Sequence, residues 1–339
     1  MVSSTEGWGI SGPYVLVTTD GGQTWREATP PETLPSGAPD KAYGAFLDKQ
    51  TAWIVFSQGD QILPEAQVWH TTDGGRTWTP SAPLLHQVSA ESVWAEFATL
   101  DAENAWLMVR GVYLGAGTHY THELFSTTDG GLTWTSLDGE ISDDYTGMVF
   151  VNASTGWRTW QTTGAYASAP PDYGVTIDGG VNWDSRELPP PTDAPGLFDQ
   201  YAYCETYQPT LLSSQSVRLL MGCFDAHYPP EAFTSYLYTS EDGGTTWNTY
   251  LLPAKVLASQ DRLIFFDATN ALLLGRDMYR STDGGHTWSH VKLVSWDGQF
   301  SFVGPHKGWA VARANNDVAL VKTTDGGNTW VEITPTITE

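Results

Sequence analysis

One octapeptide returns seven times along this chain. It reads Thr-Thr-Asp-Gly-Gly-Gln-Thr-Trp at residues 18–25 and recurs at 71–78, 127–134, 176–183, 240–247, 281–288 and 323–330. Its aspartates are Asp20, Asp73, Asp129, Asp178, Asp242, Asp283 and Asp325, at spacings of 53, 56, 49, 64, 41 and 42 residues. All seven copies keep Asp-Gly-Gly and the closing Trp; the fourth replaces the second Thr with Asn182. A repeat at this period means a chain of supersecondary units, each too small to bury its own apolar face alone.

A second motif lies upstream of most copies. A small residue precedes Trp and a short apolar run at Gly7-Trp8, Ala52-Trp53, Ala105-Trp106, Gly156-Trp157 and Gly308-Trp309. The sixth unit has Ala271-Leu272 there, and the fifth departs furthest, with Val217 to Leu220. Another apolar stretch ending in Asp or Asn comes earlier still, as in Phe46-Leu47-Asp48 and Phe265-Phe266-Asp267. Each unit therefore reads strand, turn, strand, loop, strand, Asp-Gly-Gly turn, strand, with no helical period. Four strands per unit is the blade of a β-propeller. The expectation is an all-β, seven-bladed β-propeller, four antiparallel strands per blade, formed by residues 1–339 as one domain.

The octapeptide resembles the Asp-box, or BNR repeat, found in sialidases, sortilin-type receptors, xyloglucan-cleaving glycosidases and a photosystem II assembly-factor family. The chain is most similar in size to the sortilin-like and assembly-factor-like branch. That resemblance implies a binding or assembly role. A sialidase reading is disfavoured because the Phe/Tyr-Arg-Ile-Pro motif of that family is absent.

Seven boxes on seven blades point to structure, not catalysis. Aspartate in a tight turn accepts hydrogen bonds from nearby backbone N–H groups. Glycines take the positive φ that the turn needs. The closing Trp is expected to bury on the order of 200 Å2 against its own and the neighbouring blade. One carboxylate per box is too few for a metal, and no cofactor is expected.

Antiparallel strands alternate direction, so the boxes and the first turns share one end of every blade. The connections between second and third strands share the other, and they are long in units two to five. Loops on a rigid scaffold concentrate function. Tyr113, Tyr120, Glu123, Trp160, Tyr166, Asp225, His227 and Tyr228 are the candidate ligand-binding residues, with Tyr173, Tyr236, His122 and Asp172 also placed there. Aromatic and acidic groups at such a mouth suit a glycan or a basic protein segment; they equally suit packing of the loops on one another. The competing reading is a glycoside hydrolase, which needs two facing carboxylates about 5–10 Å apart. His119, His122 and His227 could supply imidazoles, but a zinc site needs three or four convergent ligands.

Charge limits the partners. The net charge is −23, which argues against nucleic acid, since such proteins replace phosphate counterions with Lys and Arg. No apolar run is long enough for direct membrane insertion. A protein, peptide or carbohydrate ligand remains, bound by a monomer. Cys204 and Cys223 are equidistant from the turn between the first two strands of unit five. They fall opposite each other, either as a disulfide or as two buried thiols. A disulfide would place the protein outside the cell or in the cell envelope. Unit one lacks the start of its first strand. Either an exported precursor has been trimmed, or the tail near Ile333 to Ile337 completes that blade.

Overall fold

A computed structural model describes residues 1–31, 39–59, 62, 65–85, 94–113, 120–137, 141–143, 145–160, 170–199, 202–225, 234–253 and 262–338. Side chains at 111–113, 120–121, 141–143, 145, 199, 202–203 and 224–225 are outside that description. The chain divides into two compact units, Met1–Asp143 with Pro335–Glu339, and Asp144–Thr334.

The first unit holds three blades. Blade 1 has β1 (Gly7–Ser11), β2 (Tyr14–Thr18) and β3 (Thr24–Glu27). Blade 2 has β4 (Lys41–Phe46), β5 (Ala52–Ser57), β6 (Trp69–Thr71) and β7 (Thr79–Pro80). Blade 3 has β8 (Trp94–Thr99), β9 (Ala105–Tyr113), β10 (Tyr120–Thr127) and β11 (Thr135–Ser136), and β12 (Ile141–Asp143) extends it beside β10.

The second unit holds four. Blade 4 has β13 (Tyr145–Phe150), β14 (Gly156–Trp160), β15 (Asp172–Thr176) and β16 (Asp184–Glu187). Blade 5 has β17 (Ala202–Thr206), β18 (Thr210–Leu211), β19 (Val217–Asp225), β20 (Thr234–Ser240) and β21 (Asn248–Leu251). Blade 6 has β22 (Arg262–Phe265), β23 (Ala271–Leu274), β24 (Asp277–Ser281) and β25 (Ser289–Leu293). Blade 7 has β26 (Asp297–Phe302), β27 (Gly308–Ala314), β28 (Asp317–Thr323) and β29 (Val331–Ile333). The last strand, β30 (Thr336–Thr338), returns to blade 1.

The fold is a seven-bladed β-propeller of four-stranded antiparallel sheets, with one departure. In blade 1 the fourth strand is β30, paired parallel to the outer strand β3, with Trp25 opposite Ile337. The tail therefore joins blade 1 at its outer edge. Helix is confined, among the described residues, to one 3-10 turn at Leu197–Asp199.

The core lies between successive blades as a series of layers. Trp8, Ile54 and Phe56 fill the joint of blades 1 and 2. Trp53, Leu107 and Phe125 fill that of blades 2 and 3. Tyr173, Met221 and Tyr238 serve blades 4 and 5, Leu237 and Leu273 serve blades 5 and 6, and Leu274 and Phe300 serve blades 6 and 7. A sheet packed on both faces must be apolar on both, which is why β5 is buried at every residue.

Candidate functional site

Each box is closed by its own side chains. In the first, Thr18 Oγ1 donates to Asp20 Oδ1 at 3.0 Å and accepts from Gly22 N at 3.0 Å. Thr24 donates its amide to Asp20 Oδ1 at 2.9 Å and its hydroxyl to Oδ2 at 2.6 Å. The pattern repeats in every copy. In the fourth, Asn182 Nδ2 takes the place of the hydroxyl and donates to Asp178 Oδ2 at 2.7 Å. Both glycines have positive φ in all seven copies, for example 78° and 95° at Gly21 and Gly22. The hydroxyl and amide of Thr24 hold Asp20 at about 2, against an ordinary 3.8. The amide and hydroxyl of Thr246 do the same to Asp242. At Asp73 and Asp129 burial acts upward as the largest single influence, yet the combined donors hold both at about 2.

In blades 2 to 7 the first glycine of the box also donates its N–H to the turn before the second strand of its blade, and in blade 1 Gly21 donates likewise to Thr5 O, just before β1. Gly74 reaches Gln50 O at 3.0 Å, Gly243 reaches Gln215 O at 2.9 Å and Gly326 reaches His306 O at 2.8 Å. The boxes and first turns thus occupy one end of each blade, and the connections between second and third strands leave from the other.

Box-glycine carbonyls are bonded from the preceding blade. Arg26 Nη2 donates to Gly74 O at 2.9 Å, and Trp53 Nε1 to Gly130 O at 3.0 Å. Tyr173 Oη donates to Gly244 O at 2.7 Å, and Arg280 Nη2 to Gly326 O at 3.1 Å. At the joint of blades 5 and 6 the contact is apolar, with Leu237 over Gly285. No local sequence pattern announces these bonds, because donor and acceptor lie 46 to 77 residues apart.

This changes the weight of the two tryptophan sets. The second-strand indoles are the enclosed ones: Trp53 is 0% exposed, Trp106, Trp157 and Trp309 2%. Of the box indoles only Trp25 is buried; the other six are half-buried at the outer edge of their blades. In blade 5 the place of the second-strand Trp is held by Arg218. Its guanidinium is buried, bonds Glu241 at 2.6 Å and lies 5.7 Å from the Phe265 ring of blade 6.

The grown connections turn out to be partly grown strands. β9 and β19 each run nine residues, where β14 has five and β23 has four. The β9–β10 register sets Tyr113 directly opposite Tyr120. Asp225 ends β19 opposite Ala202. Tyr166, His227 and Tyr228 lie outside the described residues. Glu123 lies within β10, buried, and accepts a hydrogen bond from Ser136 Oγ at 2.6 Å. Trp160 ends β14 half-buried. Its indole N–H donates to the Asp172 carboxylate, which also accepts from Ser185 Oγ at 2.7 Å, and the Arg158 guanidinium lies 5.1 Å from the Trp160 ring. Tyr173 and Tyr236, read as mouth residues, sit in the blade 4–5 core because strand alternation turns them inward. Cys204 and Cys223 pair directly, with Cα atoms 4.1 Å apart, and are disulfide-bonded.

A cleft of about 720 Å3 opens between blades 4 and 5. Pro170, Arg186, Pro190, Thr245 and Trp247 are among the residues that line it. Among the described residues no group of three or more His, Cys, Asp or Glu is placed to hold a metal. No helix among them is long and apolar enough to cross a membrane.

Residues 279–290, the box of blade 6, match the BNR/Asp-box repeat family. The chain is a β-propeller that carries the BNR/Asp-box repeat. A YCF48 structure bound to a D1 peptide superposes with a TM-score of 0.58 at 18% identity, covering 96% of this chain and 91% of that one. YCF48 from Cyanidioschyzon merolae gives a TM-score of 0.51 at 16% identity, covering 94% and 91%. A xyloglucanase from a Paenibacillus species is 22% identical over 284 residues, or 72% of this chain. The chain spans only 24% of that enzyme's length.

Proposed function

We propose that this propeller is a non-catalytic module that binds an extended protein or peptide segment. The ligand lies at the blade end carrying the long connections between second and third strands of blades 2 to 5. The single observation that carries the reading is the two-way coverage with YCF48 bound to a D1 peptide, 96% of this chain and 91% of that one. On this reading the ligand-binding residues are Tyr113 and Tyr120 in blade 3, Trp160 and Tyr166 in blade 4, and Asp225, His227 and Tyr228 in blade 5. Glu123 acts from within the blade, by fixing β10 through Ser136. The net charge of −23 favours a basic segment, whose capture rate falls as salt screens the attraction. On this reading residues 1–339 act as one monomeric domain, exported so that the Cys204–Cys223 disulfide persists.

An array of Lys- and Arg-rich 15-residue peptides tests this reading. Binding should be saturable, weaker at 0.5 M than at 0.05 M salt, and lost in a Tyr113→Ala/Tyr120→Ala variant. Binding that ignores both the salt and the two tyrosines rules it out.

The identity to a xyloglucanase supports a second reading, a glycoside hydrolase using loop carboxylates of the same end. Release of reducing sugar from xyloglucan by the purified chain would establish it in place of the first.

A further inference from the structure

At three joints the third residue past a box tryptophan is packed onto the box of the next blade. Ala28 fills the place that a Cβ on Gly75 would take, and Val291 comes within 3.8 Å of the same place at Gly327. Tyr250 stacks on the His286 ring at 4.4 Å. In blade 4 the aligned residue is Arg186. Its Nε donates to Asp184 of its own strand at 3.0 Å, and the cleft of about 720 Å3 opens beside it. Pockets of roughly 300–1,000 Å3 are the size that small organic ligands fill.

The walls of this cleft are fixed in advance. Residues 189–191 are three prolines in succession, whose rings set φ. Leu188 N donates to Pro171 O at 2.8 Å, and Pro189 O accepts from Tyr238 Oη at 2.8 Å. Thr192 N donates to Thr249 Oγ1 at 3.0 Å. The proline wall is thereby tied to blade 4 at one end and to blade 5 at the other. The Trp247 indole is held too: its N–H donates to Tyr173 Oη at 3.2 Å, and that hydroxyl donates to Gly244 O at 2.7 Å. Groups already ordered lose little entropy when a ligand docks.

The hydrogen-bonding roles on these walls are one-sided. Thr245 Oγ1 donates to Asp242 O at 3.0 Å, and Thr246 Oγ1 donates to Asp242 Oδ2 at 2.7 Å. Both hydroxyl protons are used inside the box, so toward the cleft these oxygens only accept. The Arg186 guanidinium only donates. With its N–H committed, Trp247 offers π surface, beside Pro170, Pro189 and Pro190. A matching ligand brings both donors and acceptors on a body rich in C–H groups. Hydroxyl groups do both. A carboxylate has no proton to give Thr245 and Thr246, and a chain of net charge −23 repels it. An ammonium meets the cation of Arg186.

The geometry points to a binding site for a neutral sugar ring at the joint of blades 4 and 5. A pyranose lays a C–H face on Trp247, because the face of an indole is its negative pole. The sugar hydroxyls accept from Arg186 and donate to the threonine oxygens. The outer strand of blade 4 and the box of blade 5 form this site, which is separate from the peptide site at the long connections.

The probes are the methyl glycosides of glucose, galactose, mannose, xylose and N-acetylglucosamine. Each is titrated into the whole chain to about 50 mM, enough to saturate a millimolar site, and followed by amide and indole NMR signals. At least one should bind saturably and shift the Trp247 indole N–H together with the Thr245 and Thr246 amides. Its Kd should rise about tenfold or more in Arg186→Leu and in Trp247→Ala. If Trp247→Ala does not fold, Arg186→Leu, at a part-exposed side chain, carries the comparison. The Tyr113→Ala/Tyr120→Ala variant, which tests the peptide site, should leave the sugar Kd unchanged. Glucuronate should bind more weakly than methyl glucoside. The proposal fails if no sugar shifts those three signals, if Arg186→Leu binds as well as the parent, or if glucuronate is preferred. Sugar binding that the Tyr113→Ala/Tyr120→Ala variant removes would place the sugar at the long connections and overturn it.

Discussion

Trp53 should be among the costliest single side chains to remove from blade 2. Its ring is fully buried, stacks on His70 at 4.9 Å and donates to Gly130 O of the next blade at 3.0 Å. A buried indole removes roughly 150–250 Å2 from water, about 4–6 kcal/mol as an upper bound. Measured Trp→Ala changes in cores run about 3–5 kcal/mol. Losing the donor also leaves a buried carbonyl unsatisfied, at about 1–3 kcal/mol, unless water enters the space. Trp53→Ala should therefore cost about 4–5 kcal/mol. Trp53→Phe keeps most of the apolar volume and loses the N–H, so about 1–3 kcal/mol is expected. Trp78→Ala, at a half-buried box indole, should cost about 2 kcal/mol. Urea titration followed by circular dichroism measures all three. A Trp78→Ala loss equal to that of Trp53→Ala would refute the assignment of the wedge to the second strand. A Trp53→Phe variant as stable as the parent would refute the contribution of the bond to Gly130.

Three other outcomes follow from the boxes and the disulfide. Asn182→Thr should change stability by less than about 0.5 kcal/mol, because Asn182 already makes the hydroxyl's bond to Asp178; thermal melting checks it. All seven box aspartates are depressed in the folded chain, and Asp20, Asp73, Asp129, Asp242 and Asp283 lie at about 2 against an ordinary 3.8. A depressed carboxylate stabilises the fold fully above its unfolded value and loses that contribution as pH falls through the folded one. Melting temperature should thus be insensitive to these groups above about pH 4 and fall between about pH 4 and 2; a melting temperature that held down to pH 2 would contradict the bond pattern. Replacing both Cys204 and Cys223 by Ala opens a link across 19 residues and should cost about 3 kcal/mol, read from the urea midpoint.

What the sequence revealed is what it encodes locally. A box is closed by Asp20, Thr18 and Thr24, all within seven residues, so each copy carries its own instructions. The cysteine pairing was legible for the same reason, since one short hairpin sets the register of Cys204 and Cys223. The joints were not legible. The bond from Trp53 to Gly130 spans 77 residues, and the equivalent donors are Arg26, Tyr173 and Arg280, which share no chemistry beyond an N–H or O–H. The relative burial of the two Trp sets follows from those joints and was hidden with them. The parallel seat of β30 escaped too, because three residues of Thr-Ile-Thr fit either edge of blade 1. At the candidate site, Tyr113 and Tyr120 could be matched only once β9 and β10 were known to continue past the usual strand length.

The joints also bear on how such a chain could grow. Because the boxes of blades 2, 3, 5 and 7 receive a donor from the blade before, and that of blade 6 an apolar side chain, a cassette running from one of these second strands to the next carries a complete plug and a complete socket. Duplicating or deleting a cassette leaves every surviving plug facing a socket of the kind it already fits. The number of blades is then free to drift by gene duplication, with no joint needing to be reinvented.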